Sequence, residues 1–363
     1  MNEHMTWRET VLYRGGAVLL ALVLTSLVIW VSSPQTPPWE VLGLVFRGAF
    51  STPAQGGVSW SKIADVLVAW IPMLLAAAGL LVTFAAGLWN IGVEGQIVMG
   101  AVFTTWVLRA LQDSSTPPAL ILTLAIAAGA VGGSLWALLV GLLRTYGGVN
   151  EIFGGLGLNF VATTIVLWLI FGPWKRPGIG SMSGTEPFPP ELHLPTWGAT
   201  RLSPVALAIG LGGMAVAYVL LKGTYFGLRL KAVGNNPRAA RLMGMRPARY
   251  MLLAFGLGGA LVGLAGAVQV TAVYYRLIPA ISSGYGWLGL LVCMLVGYDP
   301  TWVPLVSLFF AAINIGSIQL PIVLSLDSSL AGVIQGTLVF SFLFTEGLRR
   351  TVLRRRLRAS AAS

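Results

Sequence analysis

The chain has 363 residues, 56% of them hydrophobic and only 10% charged. That is far more apolar surface than a soluble domain of this length can hide, so the chain reads as an integral membrane protein. The single Cys293 excludes a disulfide framework, and with His4 and His193 as the only histidines there is no clustered Cys/His set for a metal. No resident cofactor or metal is expected. A net charge of +11 would suggest nucleic acid in a soluble protein; here the placement of the 23 Lys and Arg along the chain matters more, and no nucleic-acid partner is expected.

A transmembrane helix needs roughly 20 predominantly apolar residues. Such runs lie near 11–32, 64–86, 91–110, 118–143, 152–172, 203–222, 250–274, 285–298, 302–320 and 329–347. The predicted fold is therefore an all-α integral membrane protein of about ten transmembrane helices, a single domain over 1–363. The first run follows Arg8 and Arg14 and passes into SSPQTPPWE with no small-residue cleavage pattern, which reads as a retained helix rather than a signal peptide. With residue 1 on the cytoplasmic side, the internal segments hold Arg8, Arg14, Arg144, the seven bases from Lys222 to Arg249 and the six from Arg349 to Arg358, 16 of the 23. The external segments keep Arg47, Lys62, Arg109, Lys175, Arg176, Arg201 and Arg276. This bias places both termini in the cytoplasm, with 349–363 as a basic cytoplasmic tail.

Residues 33–62 and 173–202 are rich in Pro, Gly and Ser, and are expected to form irregular external loops, the second one open to a partner. Between the second and third apolar runs stands GLWNIGVEGQ at 87–96, where Gly87 and Gly92 allow a tight turn or a broken helix. A charge inside a span costs a few kcal/mol and usually faces a cavity or a partner. Asn90 and Glu94 fall on one face if the stretch is helical. Two roles stay open for Glu94: lining a pathway, or accepting backbone N–H bonds that pin the two spans. Glu151 follows Arg144 at the start of a span, where a carboxylate complements the helix dipole or faces a pathway. Tyr285 and Trp287, in GYGW, sit at a predicted outer boundary, the usual place of an aromatic belt.

The internal loop 222–249 carries seven bases and no acid, and no Asp or Glu occurs between Glu191 and Asp299. Asn236 is suited to cap a helix, Pro237 to begin it, Ala239, Ala240, Leu242 and Met243 to continue it, and Gly244 to end it before Pro247. The expected result is a helix of about two turns. Taken alone, it reads as an interfacial helix held to anionic membrane lipid.

RAARLMG at 238–244 resembles the EAA-type motif of ABC importer permeases, with Arg238 where the wider motif has Glu. The resemblance implies that Asn236, Pro237, Arg238, Ala239, Ala240, Arg241, Leu242, Met243 and Gly244 form a coupling helix, within a cytoplasmic coupling loop 222–249, that docks on a cytoplasmic ABC ATPase. GLWNIGVEGQ at 87–96, GVNE at 148–151 with LN at 158–159, and ISSGYGWLGLLVCMLVG at 281–297 are similar to the permease family of nucleoside and simple-sugar importers, which is related to branched-chain amino acid permeases. The NIGVEGQ form looks most like the larger permease subunit of a nucleoside importer. At 153–155 the chain has FGG where relatives tend to carry Thr, so a polar lining is expected to be missing there.

The resemblance implies half of a translocation pathway in a prokaryotic plasma membrane, paired with a paralogous permease and fed by an extracellular or lipoprotein substrate-binding protein. Its candidate lining is Asn90, Glu94, Gln96, Asn150, Glu151, Asn159, Tyr285 and Trp287, the aromatics being able to stack on a base. The chain has no G-x-x-x-x-G-K-[ST] and no nucleophile with a base, so it is not read as an enzyme; ATP and Mg belong to the partner ATPase. A sugar or branched-chain amino acid permease is the alternative within the class. An ion-coupled secondary transporter is the alternative outside it, disfavoured by the EAA-like loop and the few intramembrane acids. For sidedness, single cysteines placed at Ser181 and Ser360 in a background lacking Cys293 are expected to react with an impermeant reagent on intact cells at Ser181 only; labelling at Ser360 reverses the topology.

Overall fold

The computed structural model describes residues 7–32, 35–51, 57–178, 184–327 and 329–360; Ser181 lies outside them. In chain order the helices are α1 (Trp7–Ser32), α2 (Pro38–Phe50), α3 (Trp60–Ala85), α4 (Val93–Leu111), α5 (Pro118–Thr145), α6 (Glu151–Phe171) and α7 (Pro204–Lys222). They continue with α8 (Tyr225–Asn235), α9 (Pro237–Leu242), α10 (Pro247–Val268), α11 (Tyr285–Leu295), α12 (Val303–Gly316), α13 (Gln319–Val323) and α14 (Leu330–Ser360). Among the described residues the only extended pairing is an isolated bridge between Ser51 and Val58, so the fold is all-α.

Among the described residues, seven stretches are long and apolar enough to cross a membrane: α3, α5, α6, α7, α10 with its extension to Tyr274, α12 with α13, and α14 as far as Leu348. Shorter apolar helices occupy Leu19–Val31 within α1 and all of α11. Helix α4 is not among the seven, because Arg109, Glu94 and Gln96, with a smaller part from Thr104 and Thr105, dilute its apolar character. Of these, Glu94, Gln96, Thr104 and Thr105 lie inside the protein, so neighbouring helices rather than lipid receive them.

Two compact units divide the chain: Met1–Ile63 with Ala312–Ser363, and Ala64–Ala311. In the first, α2 overturns the expectation that 33–62 is irregular. Pro38 stands at the start of the helix, where its missing N–H costs nothing; Glu40 lies in the first turn and Arg47 in the last, both favourable to the dipole. Val41 and Val45 then bury one face with Ile29, Ile313, Leu320 and Ile334. Helix α14 also runs on to Ser360, so the segment expected as a basic tail continues the helix.

The second unit is built round α3, which is almost wholly buried. Its Gly79 meets the backbone of Gly258 on α10, its Ile71 and Leu75 pack on Gly210 and Gly213 of α7, and its Ala76 and Ala77 pack on Gly289 of α11. Trp70 closes the set by donating its indole N–H to Ser307 Oγ on α12 at 2.7 Å. Helices α4, α5 and α10 meet through small residues, as membrane helices do when backbone contact replaces a hydrophobic drive. Gly263 of α10 sits at their junction. A Cβ there would strike the Gly129 carbonyl of α5 and come within 2.9 Å of Gly133 Cα, and a Cβ on Gly100 of α4 would strike the Gly263 carbonyl.

Beyond Val268, α10 widens into a π turn, Gln269–Tyr274, which ends at Tyr275 with φ 56°. Residues 185–194 supply donors for this irregular end: Leu194 N–H to Thr271 O, Phe188 N–H to Tyr275 O and Thr185 N–H to Leu277 O, each 2.9 Å. The His193 ring stacks on Tyr275 with centroids 3.9 Å apart. Apart from the short 3-10 turn Pro190–Leu192, the described part of 173–202 has no regular helix, as its composition predicts.

Gly263→Ala is expected to destabilise the purified chain by about 1–3 kcal/mol, because the junction cannot accept a methyl. Gly212→Ala, with nothing within 4 Å of its added Cβ, is expected to be neutral or slightly stabilising. Thermal unfolding in detergent compares the two.

Candidate functional site

Helix α3 ends at Ala85, and the chain reverses through Ala86–Gly92 before α4 begins at Val93. Gly87 makes the reversal possible: its φ is +71°, and a Cβ on it would lie 2.8 Å from the Gly234 carbonyl of α8. Asn90 therefore lies outside the helix. Its amide closes a reciprocal pair with Gln96, Nδ2 to Oε1 at 3.1 Å and Nε2 to Oδ1 at 2.7 Å. Both side chains are fully buried and satisfied by each other. The expectation that Asn90 and Glu94 share a helical face fails for this reason.

Asn159 of α6 clamps the reversal from the side. Its Oδ1 accepts from Gly95 N–H at 2.8 Å and its Nδ2 donates to Ile91 O at 2.9 Å, so one amide holds backbone groups on both sides of the turn. The approach is close enough that a Cβ on Gly155 would lie 2.6 Å from Gly92 N. The FGG stretch thus has a steric reason at its last position, where α6 rests on the reversal.

Glu94, in the first turn of α4, is only 8% exposed and faces the start of α11. Its Oε1 accepts the Trp287 N–H at 2.9 Å, and the Gly286 N–H and the Ser282 hydroxyl also donate to the carboxylate. Helix α11 has no side-chain cap of its own, and the residue before it, Gly284, is left-handed with φ 75°. A carboxylate on another helix supplies the cap, with the favourable sign for the helix dipole. Gly286 must be small, since a Cβ on it would lie 2.8 Å from Glu94 Oε1.

Helix α11 is too short to cross a bilayer. Its 11 residues rise about 16 Å, half of a bilayer's roughly 30 Å hydrocarbon core. Its far end runs into Asp299, which pairs with Lys222 at the end of α7 (Nζ to Oδ1 2.8 Å). The Lys222 ammonium holds the Asp299 carboxyl down to about 2. The opposite end, the N-terminus of α11, is the one that Glu94 meets. Tyr285 is partly buried there, whereas the Trp287 side chain remains 39% exposed.

The other predicted residues are used at the α5–α6 turn. Asn150 caps α6, accepting the Ile152 N–H at 2.8 Å, and Glu151 pairs with Arg144 at 2.9 Å. Sequence reasoning passed over three contributors. Ser282 and Gly286 lie in the quoted ISSGYGW motif and carried a signal. Trp136 of α5 carried none; its buried indole N–H lacks a partner and would lie 2.8 Å from a Cβ on Gly95.

In the basic loop, Asn236 Oδ1 accepts from Arg238 N–H at 3.1 Å and Ala239 N–H at 3.0 Å, Pro237 opens α9, and Gly244 follows it with φ +79°. The helix is six residues long, shorter than the expected two turns. Ala240 is fully buried within the chain, whereas Arg238, Arg241, Leu242 (90% exposed) and Met243 (70% exposed) face outward.

Residues 62–345, which hold both the reversal and this loop, match the family described as branched-chain amino acid transport system, permease component. The chain belongs to that family. It is 30% identical over 346 residues to the glucose ABC transporter permease protein TsgB13 of Haloferax volcanii, covering 93% of this chain and 85% of that one. It is 26% identical to the guanosine ABC transporter permease protein NupP of Bacillus subtilis, over 72% of this chain and 75% of the relative. To the nucleoside ABC transporter permease protein NupB of Lactococcus lactis it is again 26% identical, over 70% and 72%. A multi-pass membrane permease component accounts for both the apolar helices and the family.

Glu94→Ala strands the first N–H groups of α11 and is expected to cost about 1–3 kcal/mol. Glu94→Gln keeps one acceptor oxygen and is expected to lose less than half of that. Unfolding of the purified chain reads the difference; no loss in Glu94→Ala would mean that the cap contributes nothing.

Proposed function

We propose that this chain is the permease subunit of an ABC importer, forming half of a translocation pathway for a nucleoside or a related simple sugar. The observation that carries the proposal is family membership over 62–345, with relatives named for guanosine, nucleosides and glucose. The site agrees in chemistry. The donors around Glu94 are backbone N–H groups and a hydroxyl, so the acid acts as an acceptor and organiser, as suits cargo that offers hydroxyls and amides but no fixed charge. A branched-chain amino acid would bring an ammonium and a carboxylate, each needing its own partner.

In this proposal about ten spans cross the plasma membrane of a prokaryote, with both termini cytoplasmic. The Lys222–Asp299 pair and the ties between 185–194 and 271–277 support that count, since each joins segments that it assigns to one side. The chain itself is not an enzyme and holds no cofactor; a separate ATPase uses ATP and Mg. It pairs with a paralogous permease, as suggested by two Bacillus subtilis relatives, NupP and NupQ, that share the name guanosine ABC transporter permease protein. An extracellular or lipoprotein binding protein delivers the cargo, and α9 docks on the ATPase through its exposed tip.

Vesicles holding the assembled transporter are expected to take up labelled nucleoside or sugar when ATP is supplied, and to continue with a protonophore present. Uptake that stops with the protonophore while ATP stays high would establish an ion-coupled transporter instead. The docking tip has its own test: Leu242→Glu with Met243→Glu is expected to cut ATPase co-purification and ATP-driven uptake at least about tenfold, the loss of a contact worth about 2 kcal/mol. Unchanged co-purification removes the docking assignment.

A further inference from the structure

Two cavities in the second unit, of about 550 and 610 Å³, share Arg246 and Arg249 in their walls. The larger is an apolar groove between α5 and α10. On α10 it follows Arg249, Leu253, Gly256 and Ala260, residues spaced to lie on one face, and α5 contributes Ser134 and Leu138. Leu253 and Leu257 remain 39% and 41% exposed along it, so the groove opens sideways, toward the surroundings of the helices. The smaller cavity is basic, with Arg229 and Tyr250 joined at 3.4 Å beside the same two arginines.

Three features point to one occupant. Arg246 and Arg249 have no carboxylate partner among the described residues, and no acid exists between Glu191 and Asp299 to provide one. The first turn of α10 has no side-chain cap, and although Pro247 brings no N–H and those of Arg249 and Tyr250 bond to Arg246 O, the positive end of the helix dipole adds to the field that favours an anion. From Arg249 to Ala260 the stripe rises about 16 Å, the depth of one leaflet of a roughly 30 Å core. A free phosphate would use the arginines and leave the groove empty; a neutral lipid would use the groove and leave the arginines unpaired.

We propose that the groove holds an acyl chain of an anionic phospholipid from the leaflet next to the basic loop, with its phosphate on Arg246 and Arg249. The lipid would sit against the loop that carries α9, fixing the depth of that loop in the membrane.

The test uses the assembled transporter with phosphatidylglycerol and phosphatidylcholine, and native mass spectrometry counts retained lipid. The parent is expected to retain phosphatidylglycerol preferentially and to keep it in excess inorganic phosphate. Arg246→Gln with Arg249→Gln is expected to lower that preference about tenfold or more. Gly256→Leu fills the groove while its Cβ meets only ordinary contacts at 3.5 Å, and is expected to lower retention of both lipids with the fold intact by thermal unfolding. Displacement by phosphate, or full retention in Gly256→Leu, would show a simple anion site and overturn the proposal. Equal retention in the double arginine variant would also overturn it, as would crosslinking that finds a partner subunit in the groove. Neither readout depends on transport.

Discussion

A helix that begins in the interior of a membrane protein leaves its first N–H groups with no water to meet. In this chain the Glu94 carboxylate meets them, and much of the second unit is arranged to bring it there. The carboxylate must stand at the start of α4, which requires a reversal immediately before it; the reversal requires Gly87 and the Asn159 clamp; the clamp requires α6 to approach as closely as Gly155 permits. Each step exchanges a buried backbone group without a partner for one that has a partner. An acid is the suitable residue at 94 because several donors converge on it, which a neutral acceptor could satisfy only in part.

The glycine contacts among α4, α5 and α10 serve the same end. Backbones in direct contact leave little room to slide, so α4 and α10 hold the polar cluster in one position relative to α5. The irregular end of α10 is bound to residues 185–194 through three backbone bonds. Irregular backbone is tolerated at depth where protein covers it, and the π turn and the reversal both meet that condition.

The segments most legible in the sequence were those governed by local chemistry. Asn236, Pro237 and Gly244 act as their side chains and conformational preferences predict, and Glu151 meets Arg144 a few residues away. Misreadings came where a partner is distant in the chain. Proline and glycine in 33–62 concealed α2, since Pro38 suits a helix start and only burial against residues beyond 312 reveals the apolar face. The sequence allowed a turn or a helix at 87–92, and the turn, by taking Asn90 out of the helix, pairs it with Gln96 rather than setting it beside Glu94. Trp136 belongs to no motif in the sequence, and only the approach of α4 at Gly95 marks it as a neighbour of the reversal.

Helix α3 is the most apolar of the seven long spans and also the most deeply enclosed. The helices that enclose it, α7, α10, α11 and α12, lie later in the chain. A ribosome adding about 5–20 residues per second needs roughly 10–40 s to pass from Ala85 to Leu295. Until Lys222 has been added none of these four helices exists to cover α3, and the cover is complete only after α12. Its uniformly apolar surface suits the waiting state as well as the finished one, whereas α4, with its buried polar face, has α5 and α6 following directly behind it to shelter its side chains.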